Sequence, residues 1–99
     1  MHSTALLDGI RLQQSGHSAA ARAVFAALGD DPHAAYLTGL SYLRDGDASA
    51  ALPPLRRAAA SLPLHDGVRI NLARAAIAAE LPEEAAAAAA QVLASDTAQ

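Results

Sequence analysis

The sequence predicts an all-α protein in which six helices form three helix-turn-helix units. Three observations predict this fold: apolar residues recur at helical spacing in six segments, short turns rich in glycine, aspartate and proline separate the segments, and the same small residues return along the chain. Of the 99 residues, 53% are apolar, which is enough to build the core of one small domain. We therefore expect residues 1–99 to form a single domain.

The first unit contains the first two predicted helices. Apolar residues at mostly helical spacing predict helix one from Thr4 to Ser15, and Gly16 is a typical residue to end it. Ser18 is expected to cap helix two, because a serine oxygen can accept a hydrogen bond from a free amide of the first turn. The apolar residues of helix two follow the i, i+3, i+4, i+7 pattern of one helix face and are Ala21, Val24, Phe25 and Leu28.

The second unit contains the least regular helix. Helix three is predicted over residues 33–44 and helix four over residues 49–61, with Ser49 as the cap of helix four. Pro53 and Pro54 must then lie near the start of helix four, because a proline in a helix interior costs about 3 kcal/mol. We expect a distorted first turn, and a regular helix that begins nearer Pro53 is the alternative.

The third unit follows the turn made by residues 65–67. The apolar residues of helix five are Ile70, Leu72, Ala73, Ala76 and Ile77. Helix six is predicted from Pro82 to Leu93, because proline suits the first helical position. Glu83 and Glu84 favour the same start, since carboxylates oppose the positive end of a helix.

Small and large residues recur at fixed offsets between the units. One constant offset relates the first unit to the second, and its pairs are Gly9 with Gly39, Gly16 with Gly46, Ala21 with Ala51, and Phe25 with Leu55. A slightly longer offset relates the second unit to the third, and its pairs are Thr38 with Leu72, Gly39 with Ala73, Tyr42 with Ala76, Ala51 with Ala85, and Ala58 with Val92. In the third unit Glu80 replaces the turn glycine. We predict units at about residues 4–32, 33–63 and 66–94.

This pattern resembles the tetratricopeptide repeat (TPR), a helix-turn-helix unit of about 34 residues. The second unit matches best. On its first helix, Gly39 is similar to the small residue at the helix crossing and Tyr42 to the aromatic residue that follows it. Gly46 is similar to the turn glycine, Ala51 to the small contact of the second helix, and Pro63 to the closing proline. The resemblance extends from about Thr4 to Leu93. It implies a short right-handed α-solenoid of three antiparallel helix pairs and a role in binding other proteins.

The composition argues against several other classes of function. A net charge of −3 and a pI near 5.7 provide no basic surface for nucleic acid or for an anionic membrane. The chain has no cysteine and no lysine, which excludes thiol chemistry, Schiff-base catalysis and the lysine of a phosphate-binding loop. No apolar run approaches the ~20 residues of a membrane span. We expect a cytoplasmic protein, and the bias toward alanine and arginine is typical of a bacterial genome rich in G and C.

The resemblance also indicates where a partner would bind. In such solenoids the first helices of successive units line a concave surface. The expected ligand contacts on it are Leu6, Ile10 and Gln13 from the first unit, Tyr36, Leu40 and Leu43 from the second, and Ile70, Arg74 and Ile77 from the third. Most of these residues are apolar, which predicts a groove for a peptide or for the apolar face of a helix. Some of them are expected instead to pack between units.

Other candidate sites are weaker. Arg74 lies one turn from Asn71 and could hold a carboxylate, although the TPR sites that capture a chain's C-terminal carboxylate use lysine, which is absent here. The histidines His2, His17, His33 and His65 fall at helix ends or turns, where we expect them to cap helices or face solvent. No metal, cofactor or catalytic motif is recognisable in the sequence, so we expect a non-catalytic interaction module.

Several alternatives for the partner and the role remain open. After Leu93 little sequence remains to cover the last helix, so we expect either a longer protein or self-association, for which a two-fold homodimer is the common form. The chain could be a self-associating scaffold, a small chaperone for a hydrophobic client segment, or the N-terminal regulatory domain of a larger enzyme. A helix-turn-helix DNA-binding domain is disfavoured by the acidic charge.

Overall fold

A computed structural model describes the backbone of residues 2–98 and the side chains of residues 4–94. Within these residues there are six α-helices and no strand. The helices are α1 (His2–Gln14), α2 (Ser18–Ala26), α3 (Pro32–Arg44), α4 (Ala48–Ser61), α5 (Asp66–Ala78) and α6 (Pro82–Ala98). The all-α fold predicted from the sequence is therefore confirmed.

Consecutive helices pack against each other in three pairs, α1 with α2, α3 with α4, and α5 with α6. Each pair also packs on the next one, because α2 contacts α3 and α4 contacts α5. The stack measures 36 × 28 × 20 Å. This arrangement is the short α-solenoid of antiparallel helix pairs that the repeated residues predict.

Aspartate side chains fix the starts of the two helices in the second pair. The side chain of Asp31 accepts hydrogen bonds from the amides of His33 and Ala34 at the start of α3, and Asp47 accepts one from Ala50 in α4. The predicted cap Ser49 is wrong, since this residue lies inside the first turn of α4. An aspartate satisfies the free amides of a first turn as well as a serine does, so the helix can begin one residue after Asp47.

The other predicted cap, Ser18, is also wrong. Ser18 is the first residue of α2, and the residue before it, His17, makes no side-chain hydrogen bond to the helix. His65 does cap a helix, because its Nδ1 atom accepts a hydrogen bond of 3.2 Å from the amide of Val68 in α5. The side chain of His2 lies outside the described residues.

The two prolines of α4 lie farther into the helix than expected. Pro53 and Pro54 are the sixth and seventh residues of α4, and the helix continues through them to Ser61. Neither proline has an amide hydrogen, so the carbonyls of Ser49 and Ala50 lose their usual helical donors. Pro54 and the next residue, Leu55, are buried in the core. Tertiary packing therefore holds a helix that local preferences alone would end at the prolines.

The helix crossings of the first two pairs are formed by a glycine under a large side chain. A Cβ atom added to Gly39 would lie 2.5 Å from Cγ of Leu55, and one added to Gly9 would overlap the ring of Phe25. Phe25 and Leu55 are almost completely buried. The glycines are needed at these positions because the large side chain fills the space that a Cβ would occupy.

The third pair has a different crossing. At the corresponding positions it carries Ala73, which is buried, and Ala89, which is exposed. Its turn residue Glu80 has φ = 63°, in the same left-handed region as Gly16 and Gly46 of the first two turns. A residue with a Cβ atom is strained there by about 1–2 kcal/mol, so the turn geometry of the repeat is retained even without its glycine.

Candidate functional site

The first helices of the three pairs lie side by side on one face of the molecule. Cα atoms of α3 approach those of α1 and α5 within 8 Å, whereas among residues 2–98 the second helices α2, α4 and α6 do not approach one another to this extent. In a curved stack the row of helices that is closer together is the inner row. The face formed by α1, α3 and α5 is therefore the concave face.

Two shallow grooves lie on the concave face, one on each side of α3. Groove one, between α1 and α3, has a volume of about 160 Å³ and is lined by Ile10, Gln13, Gln14, Leu37, Leu40, Ser41 and Arg44. Groove two, between α3 and α5, has a volume of about 250 Å³ and is lined by Leu40, Leu43, Arg44, Asn71 and Arg74. Leu40 and Arg44 line both grooves, so these two residues connect them into one surface.

The structure places five of the nine predicted contact residues in these grooves. Ile10, Gln13, Leu40, Leu43 and Arg74 line one groove or both. Leu6 and Tyr36 are half-buried and pack against the cores between the helix pairs. Ile70 and Ile77 line neither groove and are 46% and 67% exposed on α5. One helical pattern thus combines residues that face the grooves with residues that face a neighbouring helix pair.

Tyr36 and Asn71 form a hydrogen-bonded pair that joins α3 to α5. The side-chain amide of Asn71 donates to the hydroxyl of Tyr36 at 3.0 Å and to the carbonyl of Gly67 at 2.8 Å. Its oxygen accepts a hydrogen bond of 3.0 Å from Arg74. The donors that would recognise a carboxylate from Asn71 are therefore already used within the protein. His65 packs edge-on against Tyr36, with 5.2 Å between the ring centroids.

A second polar network joins the first two helix pairs beside groove one. Arg22 donates hydrogen bonds to Ser41 at 2.9 Å and to Asp45 at 2.8 Å, and its guanidinium lies 4.3 Å from the centre of the Tyr42 ring. Ser18 donates to the same carboxylate at 3.0 Å. The hydrogen bond from Arg22, followed by that from Ser18, holds the pKa of Asp45 below its ordinary value.

Gln13 extends this network to the edge of groove one. Its amide nitrogen donates to Ser18 at 3.0 Å, while its buried oxygen has no hydrogen-bond partner within residues 4–94.

The two arginines that line the grooves have no carboxylate partner among the described residues. Arg44 makes no hydrogen bond or ion pair with the described residues, and within the same residues Arg74 is bonded only to the neutral Asn71. Groove one is mainly apolar, whereas groove two is more polar, because three of its five lining residues are Arg44, Asn71 and Arg74. The two arginines bring positive charge that no described carboxylate compensates.

The nine predicted contacts omit four residues of groove one, which are Gln14, Leu37, Ser41 and Arg44, and they omit Asn71 of groove two. The sequence spacing could have identified three of them, because Leu37, Ser41 and Arg44 lie at i, i+4 and i+7 and therefore share one face of α3. The prediction instead projected the repeat pattern and took the same three positions from the first helix of each unit. Ser41 and Arg44 are polar, and the pattern alone does not distinguish them from residues on the outer surface.

Other chemistry has little support within the described residues. No group of three histidine, cysteine, aspartate or glutamate side chains lies close enough there to hold a metal ion. In residues 2–98, no helix combines the length and the apolar character needed to cross a lipid bilayer.

Three stacked helix pairs with small residues at their crossings define a TPR-like helical repeat protein. Residues 11–92 match the model of the family described as anaphase-promoting complex, cyclosome, subunit 3, and the chain belongs to this TPR-like repeat family. Comparison of the sequence with curated proteins gave no match. Family membership supports a role as a protein–protein interaction module.

Proposed function

We propose that this chain binds a peptide or helix of another protein on its concave face and has no catalytic role. One observation carries the proposal: grooves one and two meet at Leu40 and present apolar side chains between the first helices. The apolar side chains of groove one, continued by Leu40 and Leu43 in groove two, suit the apolar face of an amphipathic helix or an extended hydrophobic segment. The family supports it as well, since its description names a subunit of a larger complex and such repeats are generally non-catalytic.

The charges of the grooves favour an acidic partner segment. Arg44 and Arg74 both line groove two, and neither is compensated by a described carboxylate. The whole chain carries a net charge of −3, so the positive charge of this groove is opposite in sign to that of the chain as a whole. A segment with aspartate or glutamate beside its apolar residues would be attracted to this position and would be oriented there.

Selection of peptides from a displayed library on the immobilised chain tests the proposal. The native chain should enrich apolar or amphipathic segments, with acidic residues more frequent than in the starting library. Leu40→Glu places a carboxylate between the two grooves and should abolish the enrichment, while helicity measured by circular dichroism stays unchanged. The matched control is Leu64→Glu, because Leu64 is 89% exposed and lies in the turn before α5, outside both grooves.

The contribution of each half of the site can then be separated. Arg44→Ala and Arg74→Ala should weaken binding of the acidic segments and reduce its dependence on salt, because surface charges are screened at high ionic strength. Ile70→Glu should also weaken binding if the partner extends over α5. Unchanged enrichment with Leu40→Glu would refute the concave site, whereas loss of the acidic preference alone would leave it in place.

Two other roles use the same surface. A small chaperone would shield a hydrophobic client segment in the grooves, and it would bind many apolar peptides with little preference among them. A regulatory domain of a larger enzyme would bind a segment of that enzyme. The peptide selection distinguishes a chaperone from a specific module by the diversity of the enriched sequences. A cytoplasmic location, a bacterial origin and the absence of nucleic-acid binding stay predictions from the sequence.

A further inference from the structure

Five of the six large apolar residues exposed in the described part of the chain belong to the first or the last helix pair, and the fifth of these, Leu81, lies in the turn between α5 and α6. Leu7 is 52% exposed on α1, the first helix. Ile70, Ile77 and Leu93 are 46%, 67% and 66% exposed on α5 and α6, the last pair. The repeat positions of Leu7, Ile70 and Ile77 explain why these three residues are exposed.

Each helix pair uses one surface to pack on the pair before it and another to accept the pair after it. We call these the leading face and the trailing face. At the offset that relates the first unit to the second, Leu7 of α1 corresponds to Leu37 of α3. Leu37 belongs to the leading face of the second pair, because it packs against the core formed by Ala21 and Phe25 of the first. Leu7 is thus the leading-face residue of the first pair.

The exposed isoleucines occupy trailing-face positions. At the offset that relates the second unit to the third, Ile70 corresponds to Tyr36 and Ile77 to Leu43. Tyr36 and Leu43 lie half-buried against the core that joins the second pair to the third. Ile70 and Ile77 therefore repeat, on the last pair, the surface on which α5 packs within the chain. One end of the molecule carries the leading half of an internal interface, and the other end carries the trailing half.

We propose that copies of this chain stack head to tail, with Leu7 on the leading face of one copy packed over Ile70 and Ile77 on the trailing face of another. The contact continues an interface that the chain already forms twice, where α3 packs on α1 and α2 and where α5 packs on α3 and α4. A two-fold dimer that joins two trailing faces would leave Leu7 of both copies exposed. A head-to-tail contact covers both ends, and because its two surfaces differ it extends to longer assemblies.

The contact should be weaker than the internal ones. The trailing face of the last pair has Ala89 where the first two pairs have the buried side chains of Phe25 and Leu55. A smaller side chain leaves less apolar area to bury against the leading face of a second copy. Association should therefore depend on concentration and should be reversible on dilution.

Sedimentation of the native chain over a range of concentrations is the first test. The average mass should rise from the 10.0 kDa monomer past the dimer without levelling off. Leu7→Glu and Ile77→Glu should each abolish this increase, because each places a charge in one half of the contact. Leu64→Glu, at an exposed residue on neither face, should associate like the native chain.

Mixing the two variants decides the geometry. Leu7→Glu keeps a native trailing face and Ile77→Glu keeps a native leading face, so the mixture should form a dimer that cannot grow further. A native chain that is monomeric throughout, or that levels off at a dimer, overturns the proposal. Sensitivity to only one of the two substitutions also overturns it, since both ends must take part.

Cross-linking gives a result that does not depend on the charged variants. The chain has no cysteine, so Leu7→Cys and Ile77→Cys each introduce a single reactive thiol. Cross-links between the two variants should exceed those within either one. Cross-links of Ile77→Cys with itself at the same or a higher level would indicate a two-fold contact and would overturn the head-to-tail geometry.

Discussion

The first two helix pairs and the third reach the same arrangement with different side chains. In the first two, a glycine on the first helix accepts a large side chain from the second, Phe25 over Gly9 and Leu55 over Gly39. In the third pair, two alanines occupy these positions, and the one on α6, Ala89, is exposed. A large side chain in a glycine notch buries more apolar area than two alanines do, so the core of the third pair should contribute less to stability.

The turn inside the third pair also lacks the glycine that the first two pairs have at this position. Gly16 and Gly46 adopt the left-handed φ that glycine allows, whereas Glu80 adopts it with a Cβ atom. The third pair also has an ion pair to its neighbour, as the second pair has to the first through Arg22 and Asp45. Arg56 of α4 donates two hydrogen bonds to the carboxylate of Glu84 in α6, at 2.8 and 2.6 Å.

The largest effect should come from removing the aromatic ring of the first crossing. Phe25→Ala leaves a cavity above Gly9 and should lower the free energy of unfolding by about 3–5 kcal/mol. This is a large part of the stability of a small domain. Urea denaturation measures it. Val24→Ala, at a neighbour outside the buried core, is the control and should cost much less; a similar loss for both would mean that Phe25 is not the centre of this core.

A smaller effect is expected from converting the second crossing into the third. Gly39→Ala places a Cβ atom 2.5 Å from Cγ of Leu55 and should cost about 1–3 kcal/mol by overpacking. With Leu55→Ala in the same chain the overlap disappears, and the crossing carries two alanines like that of the third pair. The loss in the double variant should therefore be smaller than the sum of the two single losses. Additive losses would contradict the glycine notch.

Restoring the missing turn glycine should stabilise the third pair. Glu80→Gly relieves about 1–2 kcal/mol of left-handed strain and costs about 0.5–1 kcal/mol in backbone entropy. We expect a net gain of about 0.5–1 kcal/mol in the free energy of unfolding. Glu83→Gly is the control, since Glu83 lies in the first turn of α6 and should lose stability instead. Destabilisation by Glu80→Gly would show that its side chain matters more than its φ.

The smallest effect should be a dependence of stability on pH from the two carboxylates that join the helix pairs. Hydrogen bonds from Arg22 and from Arg56 hold the pKa values of Asp45 and Glu84, respectively, below their ordinary values in the folded protein. A lowered pKa means that the stabilisation is present above the unfolded pKa and is lost as the pH falls through the folded one, here starting below about pH 5. Both groups are near solvent, so the effect should be modest.

Melting temperatures at pH 7 and in acid measure this effect. Asp45→Asn should lower the melting temperature at pH 7, and the difference from the native chain should shrink in acid. Asp8→Asn is a matched control, because the contact of Asp8 with Arg11 is 3.9 Å long and both side chains are more than half exposed. A constant difference at every pH would show that Asp45 acts through its shape and not through its charge.

Local sequence patterns predicted the helices well and their caps poorly. Helical spacing of apolar residues placed all six helices, because this periodicity reflects which face each helix buries. The caps at Ser18 and Ser49 were wrong. Asp47 caps α4 in place of Ser49, and Ser18 lies inside α2, where its hydroxyl donates to Asp45 of the next helix pair. Pro53 and Pro54 misled the prediction for a related reason, because packing of Leu55 outweighs their local cost.

The repeat can be recognised without the structure, because its offsets, the small residues at the crossings and the row of first helices all follow from the residue pattern. What each repeated position does depends on how the helix pairs pack. Tyr36 and Ile70 occupy the same position, yet Tyr36 is half-buried between two pairs and Ile70 is exposed at the end of the stack. The physical reason is that burial depends on whether a neighbouring pair is present, and the repeat pattern of a single position carries no information about that neighbour.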